Sequence, residues 1–267
     1  MSVQTLYTAA TGMQALETKL DVIAHNLANV NTTGFKKGRA NFEDLFYRHH
    51  VLPGAEDDGG GKTATGTSVG LGTRVSSVQT DFKQGAFQLT SNPLDVAIEG
   101  PGFFQVLDSN GDTLYTRSGN FSINAQGNLV LGSASVGRLL QPSIQIPSEA
   151  LSISIQPDGR VMVSLPQQTT NTEVGRLQIA TFINPEGLLK RGENLFQETD
   201  ASGAPTPGNP GDTGLGVLKQ NALEASNVEP VQELIDLITT QRSFELNSQA
   251  VQAGDQILQL VANLRRY

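Results

Sequence analysis

The chain has 267 residues, a net charge of −8 and no cysteine. A disulfide framework, thiol chemistry and cysteine-based metal sites are therefore excluded, and the negative charge argues against nucleic acid or an anionic membrane as the main partner. Charged residues make up 16% of the sequence, which favours a strand-rich extracellular body over a cytosolic enzyme, and no apolar run is long enough to predict a membrane-embedded segment.

Apolar residues in the first thirty positions recur in alternating steps of three and four. This spacing predicts a helix from about residue 2 to residue 30 that packs in a coiled coil. Ordering its backbone costs about 1–2 kcal/mol per residue, so we expect the helix to be ordered only when packed. The residues that carry the pattern, here called the N-terminal seam, are Leu6, Ala9, Met13, Leu16, Leu20, Ile23, Leu27 and Val30.

Polar and basic residues follow the seam. Asn26, Asn29 and Asn31 are interpreted as a capped helix end, and Gly34 as a left-handed residue that stops the helix. Three basic residues come next and suit the negative end of the helix dipole. They are Lys36, Lys37 and Arg39.

The middle of the chain changes character twice. Residues 36–72 combine an aromatic patch with an acidic, glycine-rich tract, which predicts an extended connector. Residues 73–221 contain short alternating runs separated by turn signals, which predicts an all-β central domain, with a flexible loop at 199–216. The predicted strands include 114–117, 121–123, 129–131, 144–146, 151–155, 161–165 and 177–183.

A second long helix is predicted near the other end, beginning near residue 227 or 229 with Pro230 in its first turn. Its apolar residues repeat every seven positions. This C-terminal seam consists of Leu237, Phe244, Val251 and Leu258, with Val261 on the same stripe. Residues 1–35 and 222–267 are thus expected to form one discontinuous domain of coiled-coil-type helices, and the predicted fold class is α+β.

The polar face of the second helix is rich in neutral amides and poor in charge. Solvated helix faces usually carry Glu and Lys. Two readings stay open: an exposed face of unusual composition, or the lining of an aqueous bore. The residues concerned are Thr239, Thr240, Gln241, Asn247, Ser248, Gln249, Gln252, Gln256 and Gln259.

Candidate chemical motifs lack the residues that their chemistry needs. The run 66–70 has the spacing of a nucleophile elbow, but no histidine follows position 50. The run 59–63 lacks the first glycine of a phosphate loop, and 108–119 lacks the final glutamate of a calcium loop. His49 and His50 are adjacent, with only His25 as a third imidazole. The sequence therefore predicts no catalytic residue, cofactor or metal site.

Three segments resemble the bacterial flagellar rod and hook protein family and occur in the family's order. They are 26–35 (NLANVNTTGF), 95–104 (DVAIEGPGFF) and 223–228 (LEASNV) with 241–245 (QRSFE). The patch at 42–47 is most similar to distal rod proteins of that family. The residues of the first motif are Asn26, Asn29, Asn31, Thr33, Gly34 and Phe35.

This resemblance implies a non-enzymatic structural subunit, exported by the flagellar type III apparatus without cleavage of a signal peptide. It implies a homo-oligomer in which the terminal helices of many copies form a rigid helical tube across the periplasm, within the basal body, that transmits motor torque to the hook. The implied neighbours are proximal rod proteins, hook protein and the surrounding basal-body rings.

Two alternatives remain open. Within the same family, the chain is a proximal rod or hook-type axial protein. In a different class, it is a secreted β-domain enzyme or adhesin whose end helices only dimerise. That second alternative predicts termini protected from proteases even in a dilute solution.

Overall fold

The computed structural model describes residues 3–54, 65–108, 110–135, 137–166 and 170–264. The chain forms two compact units, each assembled from distant parts of the sequence. The helical unit comprises Met1–Ala28, Gly38–Thr80 and Glu229–Tyr267, and the β unit comprises Asn29–Lys37 and Asp81–Val228. The predicted α+β class is confirmed, with one helix near each end and a mostly β central region.

The helical unit contains two long helices and two pairs of antiparallel strands. The helices are α1 (Val3–Ala28) and α2 (Pro230–Leu264). The strands are β1 (Gly38–Asp44), β2 (Tyr47–Val51), β3 (Thr67–Gly70) and β4 (Thr73–Thr80). Strand β1 pairs with β4, and β2 pairs with β3. Helix α2 begins at a proline because that position needs no backbone N–H donor.

The two helices pack antiparallel within the one chain. Near the start of α1, the Leu6 side chain faces Gly254, where an added Cβ would lie 2.6 Å from Leu6 Cδ2. At the other end of α1, Asn26 contacts Glu233. Residue numbers therefore increase along α1 in the direction in which they decrease along α2. Supercoiling of the pair stays a prediction.

The β unit contains sixteen strands and one short 3₁₀ helix among the described residues. The strands are β5 (Phe87–Leu89), β6 (Val96–Glu99), β7 (Phe103–Leu107), β8 (Thr113–Thr116), β9 (Phe121–Ile123), β10 (Leu129–Leu131), β11 (Arg138–Gln141), β12 (Ser152–Ile155), β13 (Arg160–Ser164), β14 (Thr172–Arg176), β15 (Ile179–Thr181), β16 (Leu189–Gly192), β17 (Leu195–Gln197), β18 (Thr206–Gly208), β19 (Val217–Gln220) and β20 (Ala222–Glu224).

The largest sheet runs β16-β17-β8-β7-β11-β10-β9, and β15 joins it by pairing with both β7 and β18. Strand β13 pairs with β12 and β14 in a second sheet. Two pairs link early and late parts of the unit, β6 with β19 and β5 with β20. Residues near position 220 therefore complete sheets that begin before residue 100.

Strand β7 separates two apolar clusters because alternate side chains point to opposite faces of a strand. Phe104 and Val106 belong to the main core. Phe103 lies in a smaller aromatic cluster with Tyr115 and Phe196. The alternation seen in the sequence near residue 104 thus marks a strand that is covered on both faces.

Several predicted β segments are corrected by the structure. Residues 144–146 form no strand: Gln145 makes an isolated bridge to Asn128, although Ile144 and Ile146 are buried in the core. The expected loop 199–216 contains β18 and the fully buried Ser202. At 144–146, alternating apolar residues correctly indicated burial but did not indicate strand pairing.

The boundaries of the two compact units also differ from the predicted domain boundaries. Residues 73–80, expected in the β domain, form β4 and pair with β1 in the helical unit. Residues 29–35 and 222–228, expected with the helices, belong to the β unit. Contacts between distant parts of the sequence determine which unit each of these segments joins. The composition of a segment does not indicate those contacts.

Tyr115 gives the β unit a predictable response to alkali. Burial, and then the nearby carboxylate of Glu198, raise the pKa of Tyr115 to about 12. The folded chain keeps this proton above pH 10, where an unfolded tyrosine loses it. The contribution of Tyr115 to stability is therefore complete below pH 10 and is lost as the pH rises through 12. We expect urea unfolding at pH 11 to show a loss of about 1 kcal/mol relative to pH 9, and expect Tyr115→Phe to lack this loss.

Candidate assembly surfaces and a buried ion cluster

The motifs considered for catalysis and metal binding lie on surface strands and turns. His49 and His50 are exposed on β2. The calcium-loop candidate begins at the polar turn between β7 and β8, where Gly111 N donates to Asp108 O. The phosphate-loop candidate at 59–63 lies outside the described residues. Within the described ranges, no group of three His, Asp or Glu side chains is arranged to hold a metal, and neither helix is apolar enough over its length to cross a membrane.

The N-terminal seam lies along α1, partly sheltered from solvent. Ile23 is buried, and Leu6, Ala9, Met13, Leu16, Leu20 and Leu27 are half-buried. Val30, also half-buried, lies beyond the end of the helix. Ala15 and Asn26 are buried on α1 although neither was assigned to the seam. Contacts within this chain therefore cover the seam only in part.

The C-terminal seam lies on the side of α2 that faces α1. Leu237, Phe244, Val251 and Leu258 are half-buried. They alternate with Glu233, Thr240, Asn247 and Gly254, of which all but the half-buried Asn247 are buried. The side chain of Val261 lies outside the described residues. Both seams thus meet inside a single chain, and their role in assembly stays a prediction.

Helix α2 carries a second apolar stripe on the side opposite the seam. At about 100° per residue, positions 231, 235, 246 and 260 lie within one quadrant of the helix. Leu246 is 66% exposed. This stripe, here called the outer face, comprises Val231, Leu234, Ile235, Ile238, Leu246, Ile257 and Leu260, all exposed. The amides Gln241, Gln252 and Gln259 are exposed on the flank between the outer face and the seam, next to the edge that Leu234 occupies.

A second exposed apolar surface lies on the strands that follow β1. Phe46, between β1 and β2, is 87% exposed. The register places the side chains of this surface on both faces of the β2–β3 pair, since Tyr47 pairs with Gly70 whereas Val69 pairs with Arg48. The exposed residues of this hairpin patch are Phe46, Tyr47, Val51, Leu52, Val69 and Leu71.

Asn26 fastens α1 to the start of β1 and to α2. Its Nδ2 donates to Gly38 O at 2.9 Å and to Glu233 Oε2 at 3.2 Å, and its Oδ1 accepts from Gly38 N at 2.9 Å. The interpretation of Asn26 as a helix cap is therefore wrong. A buried amide can use both of its polar atoms here because β1 and α2 supply complementary partners.

We expect Asn26→Asp to destabilise the helical unit by about 2–4 kcal/mol at pH 7, because it removes a buried donor and places a carboxylate beside Glu233. Acid should restore part of the stability, since the introduced carboxyl group could again donate once it is protonated. The exposed Asn31→Asp is the matched control, expected within about 0.5 kcal/mol of the parent. Urea unfolding monitored by circular dichroism measures both; equal effects would contradict the pairing.

The other motif residues lie in the β unit. Gly34 has a φ of +68° and its N–H donates to Glu224 O at 2.7 Å. Thr33 O accepts from Asn194 Nδ2 at 2.9 Å. Phe35 is buried. Asn29 Oδ1 accepts from Thr32, and Asn31 is exposed. Gly34 is thus left-handed as predicted, but α1 ends at Ala28, so Gly34 does not cap the helix.

Behind the motif lies a buried ion cluster of Lys36, Arg117 and Glu224. Their residues are 2%, 4% and 0% exposed. Lys36 Nζ donates to Glu224 Oε1 and, at 2.7 Å, to Lys83 O. Arg117 Nε lies 3.1 Å from Glu224 Oε2. The interpretation of Lys36 as a surface partner of the helix dipole is therefore wrong.

The cluster contains two cations and one carboxylate. Burial lowers the pKa of Lys36, and the neighbouring Glu224 opposes that shift. Burial likewise lowers the pKa of Arg117, again opposed by Glu224. Arg117 Nη1 also donates to the carbonyls of Gly100 and Gly102, at 2.8 and 2.6 Å. Glu224 therefore offsets part of the cost of burying both cations.

Asn227 lies close to the ion cluster in the sequence and binds its surroundings through both polar atoms of its side chain. Its Oδ1 accepts from Lys37 N at 2.8 Å, and its Nδ2 donates to Asp81 O at 2.8 Å. Asn221, before β20, has a φ of +55°, as expected for a residue in a left-handed turn. The sequence motifs contained Glu224 and Asn227, but nothing in the chain signalled their partners, which lie more than a hundred residues away.

Comparison with known proteins agrees with this placement of the motifs. Residues 6–36 match a family model described as flagella basal body rod protein. Residues 97–163 match the flagellar hook protein FlgE/F/G D1 domain, and residues 219–264 match the flagellar basal body rod FlgEFG protein C-terminal region. The fold therefore belongs to the axial proteins of the bacterial flagellum.

Full-length relatives narrow this class. Flagellar basal-body rod protein FlgG of Caulobacter vibrioides is 45% identical, with 98% of this chain and 99% of that protein covered. FlgG of Borreliella burgdorferi is 43% identical, covering 98% of each, and that of Bacillus subtilis is 40% identical, covering 98% and 99%. The chain belongs to the FlgG family of flagellar basal-body rod proteins, and it is a structural protein and not an enzyme.

Proposed function

We propose that many copies of this chain assemble into the distal rod, a rigid helical tube that transmits motor torque to the hook. The outer face of α2 is the observation that carries this proposal. It exposes seven large apolar side chains on a helix whose opposite side already packs on α1. Burial of such side chains would stabilise an interface by about 1.5–3 kcal/mol each when complete.

The helices would form the inner wall of the tube. The N-terminal seam is only partly covered within the chain, so neighbouring copies would complete its burial. Contacts from copy to copy that do not close into a ring generate an open helical polymer. Stiffness then follows from many lateral helix contacts per subunit, which resemble a protein core in their packing.

The amide flank of α2 fits the bore of such a tube. Six of the nine polar residues considered are exposed, and Thr240, Asn247 and Ser248 are at least half-buried. The bore lining would therefore be narrower than the sequence pattern indicated. Of the exposed members, Gln241, Gln252 and Gln259 lie on this flank, whereas Thr239, Gln249 and Gln256 lie among the apolar residues of the outer face.

The hairpin patch would stiffen the wall. Phe46 and its apolar neighbours on β2 and β3 are exposed in one chain, and a second copy offers a surface of matching chemistry. We further propose export by the flagellar type III apparatus with an uncleaved N-terminus. Proximal rod proteins, hook protein and the basal-body rings would be the neighbours in the cell envelope.

Purified full-length chain provides the test. At high concentration, electron microscopy should show rods of constant diameter. Limited proteolysis of a dilute solution should cleave α1 and α2 before the β unit, because contacts within one chain cover the two helices only in part, whereas the rods should resist cleavage throughout. Monomers or dimers with protected helices at every concentration would favour the secreted enzyme or adhesin instead.

A further inference from the structure

Residues 217–228 complete the strand pairing and the core packing of the β unit. Strand β19 pairs with β6 along four residues. Leu218 on β19 is buried in the main core with Val96 and Ile98. Strand β20 pairs with β5, and Ala225 N continues the pairing by donating to Ala86 O at 2.8 Å. This late segment therefore completes both backbone pairing and core packing of strands that precede residue 100.

The same segment also brings the negative charge of the ion cluster. Lys36 precedes the β unit's first strand and Arg117 follows β8, so both cations enter from the earlier part of the chain. Glu224 contacts both of them, and its Oε1 also accepts from Gly85 N at 3.0 Å. Removing one member of a buried ion pair leaves an uncompensated charge, which is strongly destabilising. Closing the unit without Glu224 would bury two such charges together.

Backbone groups around Glu224 fix the N-terminal motif at the same point. Gly34 N–H donates to Glu224 O, and Lys37 N–H donates to Asn227 Oδ1. Without residues 224 and 227, the N–H groups of the buried Gly34 and the half-buried Lys37 would lose these partners, at a further cost in free energy. The segment is thus joined to residues 34–37, 85–86 and 117 by charge and by hydrogen bonds.

We propose that Glu224 closes the β unit cooperatively, so that this unit stays unfolded until the chain has delivered residues 217–228. An incomplete chain, or one whose last part is still threaded elsewhere, then presents no folded β unit. Only complete chains can offer a finished subunit to a partner. The proposal concerns folding of the isolated chain and is independent of whether that chain forms rods.

Hydrogen exchange on the full-length chain tests the proposal. In Glu224→Gln, amide protection should fall by about 100-fold or more across strands far from the substitution, namely β7, β8 and β13, because opening becomes global. Glu99→Gln, an exposed carboxylate on β6, is the matched control and should leave protection unchanged. Loss confined to residues 34–37, 81–89 and 222–228, or no loss, would overturn the proposal.

A second variant separates charge from packing. Lys36→Met combined with Glu224→Gln leaves one cation, Arg117, which retains its two backbone carbonyl partners. Protection should recover by at least tenfold over Glu224→Gln alone, and in all the strands together. No recovery, or recovery of only the strands next to Lys36, would contradict the role assigned to Glu224. The gain in amide protection from the single to the double variant can be measured even when Glu224→Gln alone is largely unfolded.

Discussion

Replacing Gly34 with alanine should lower the free energy of unfolding of the β unit by about 2–4 kcal/mol. The positive φ costs any residue with a Cβ about 1 kcal/mol. The rest comes from crowding, since a Cβ at this position would lie 2.8 Å from Ser118 N and 3.0 Å from Arg117 C. Both are backbone atoms, which cannot turn aside as the tip of a flexible side chain can.

Gly111 supplies a matched control in the same unit. It also has a positive φ, +90°, but nothing lies within 4 Å of an added Cβ. Gly111→Ala should therefore cost only about 1 kcal/mol, the backbone contribution alone. Urea unfolding of both variants, monitored by near-ultraviolet circular dichroism, measures the difference. Equal losses would show that the contact of Gly34 with Ser118 does not limit stability.

Gly34 also illustrates what its sequence context could reveal. The residue type and its position after a polar run predicted a left-handed conformation, and that is correct. The reason given was wrong: α1 ends six residues earlier, and the conformation serves a contact with a segment more than eighty residues away. Local signals specify backbone geometry well, whereas the partner of that geometry depends on the tertiary fold.

Lys36 makes the same point for charge. A lysine among other basic residues ordinarily lies in solvent, and the sequence offers no sign that Lys36 differs from Lys37 or Arg39. Its burial depends on Glu224, 188 residues later in the chain. The two ends of α1 and the start of α2, by contrast, were predictable to within about three residues, because helical periodicity is local and extends over many turns.

The short strands were predicted less well than the long helices but better than the partners of Gly34 and Lys36. Alternation located 121–123 and 129–131 correctly, and both are strands in the structure. It missed β16 and β17, whose residues pair along the edge of the large sheet, and it predicted a strand at 144–146 that is absent. Strand β16 is exposed at every position, so it carries no alternation of buried and exposed residues, and its pairing depends on neighbours supplied by the fold.

Leu246→Asp on the outer face of α2 should abolish rod formation while leaving the monomer folded. Because Leu246 is 66% exposed, the substitution should change the monomer's free energy of unfolding by no more than about 0.5 kcal/mol. In a packed interface between copies, the same carboxylate would be buried without a partner, which costs several kcal/mol. The concentration needed for assembly should rise by at least about 100-fold.

Gln252→Asp introduces the same charge on the exposed amide flank of the same helix. It should assemble at nearly the concentration of the parent chain, because that flank is expected to face water in the tube. Sedimentation and electron microscopy of the three proteins at matched concentrations give the comparison, with circular dichroism to check the monomers. Normal rods from Leu246→Asp would place the contacts between copies on another surface, since an unpaired carboxylate could then remain in solvent.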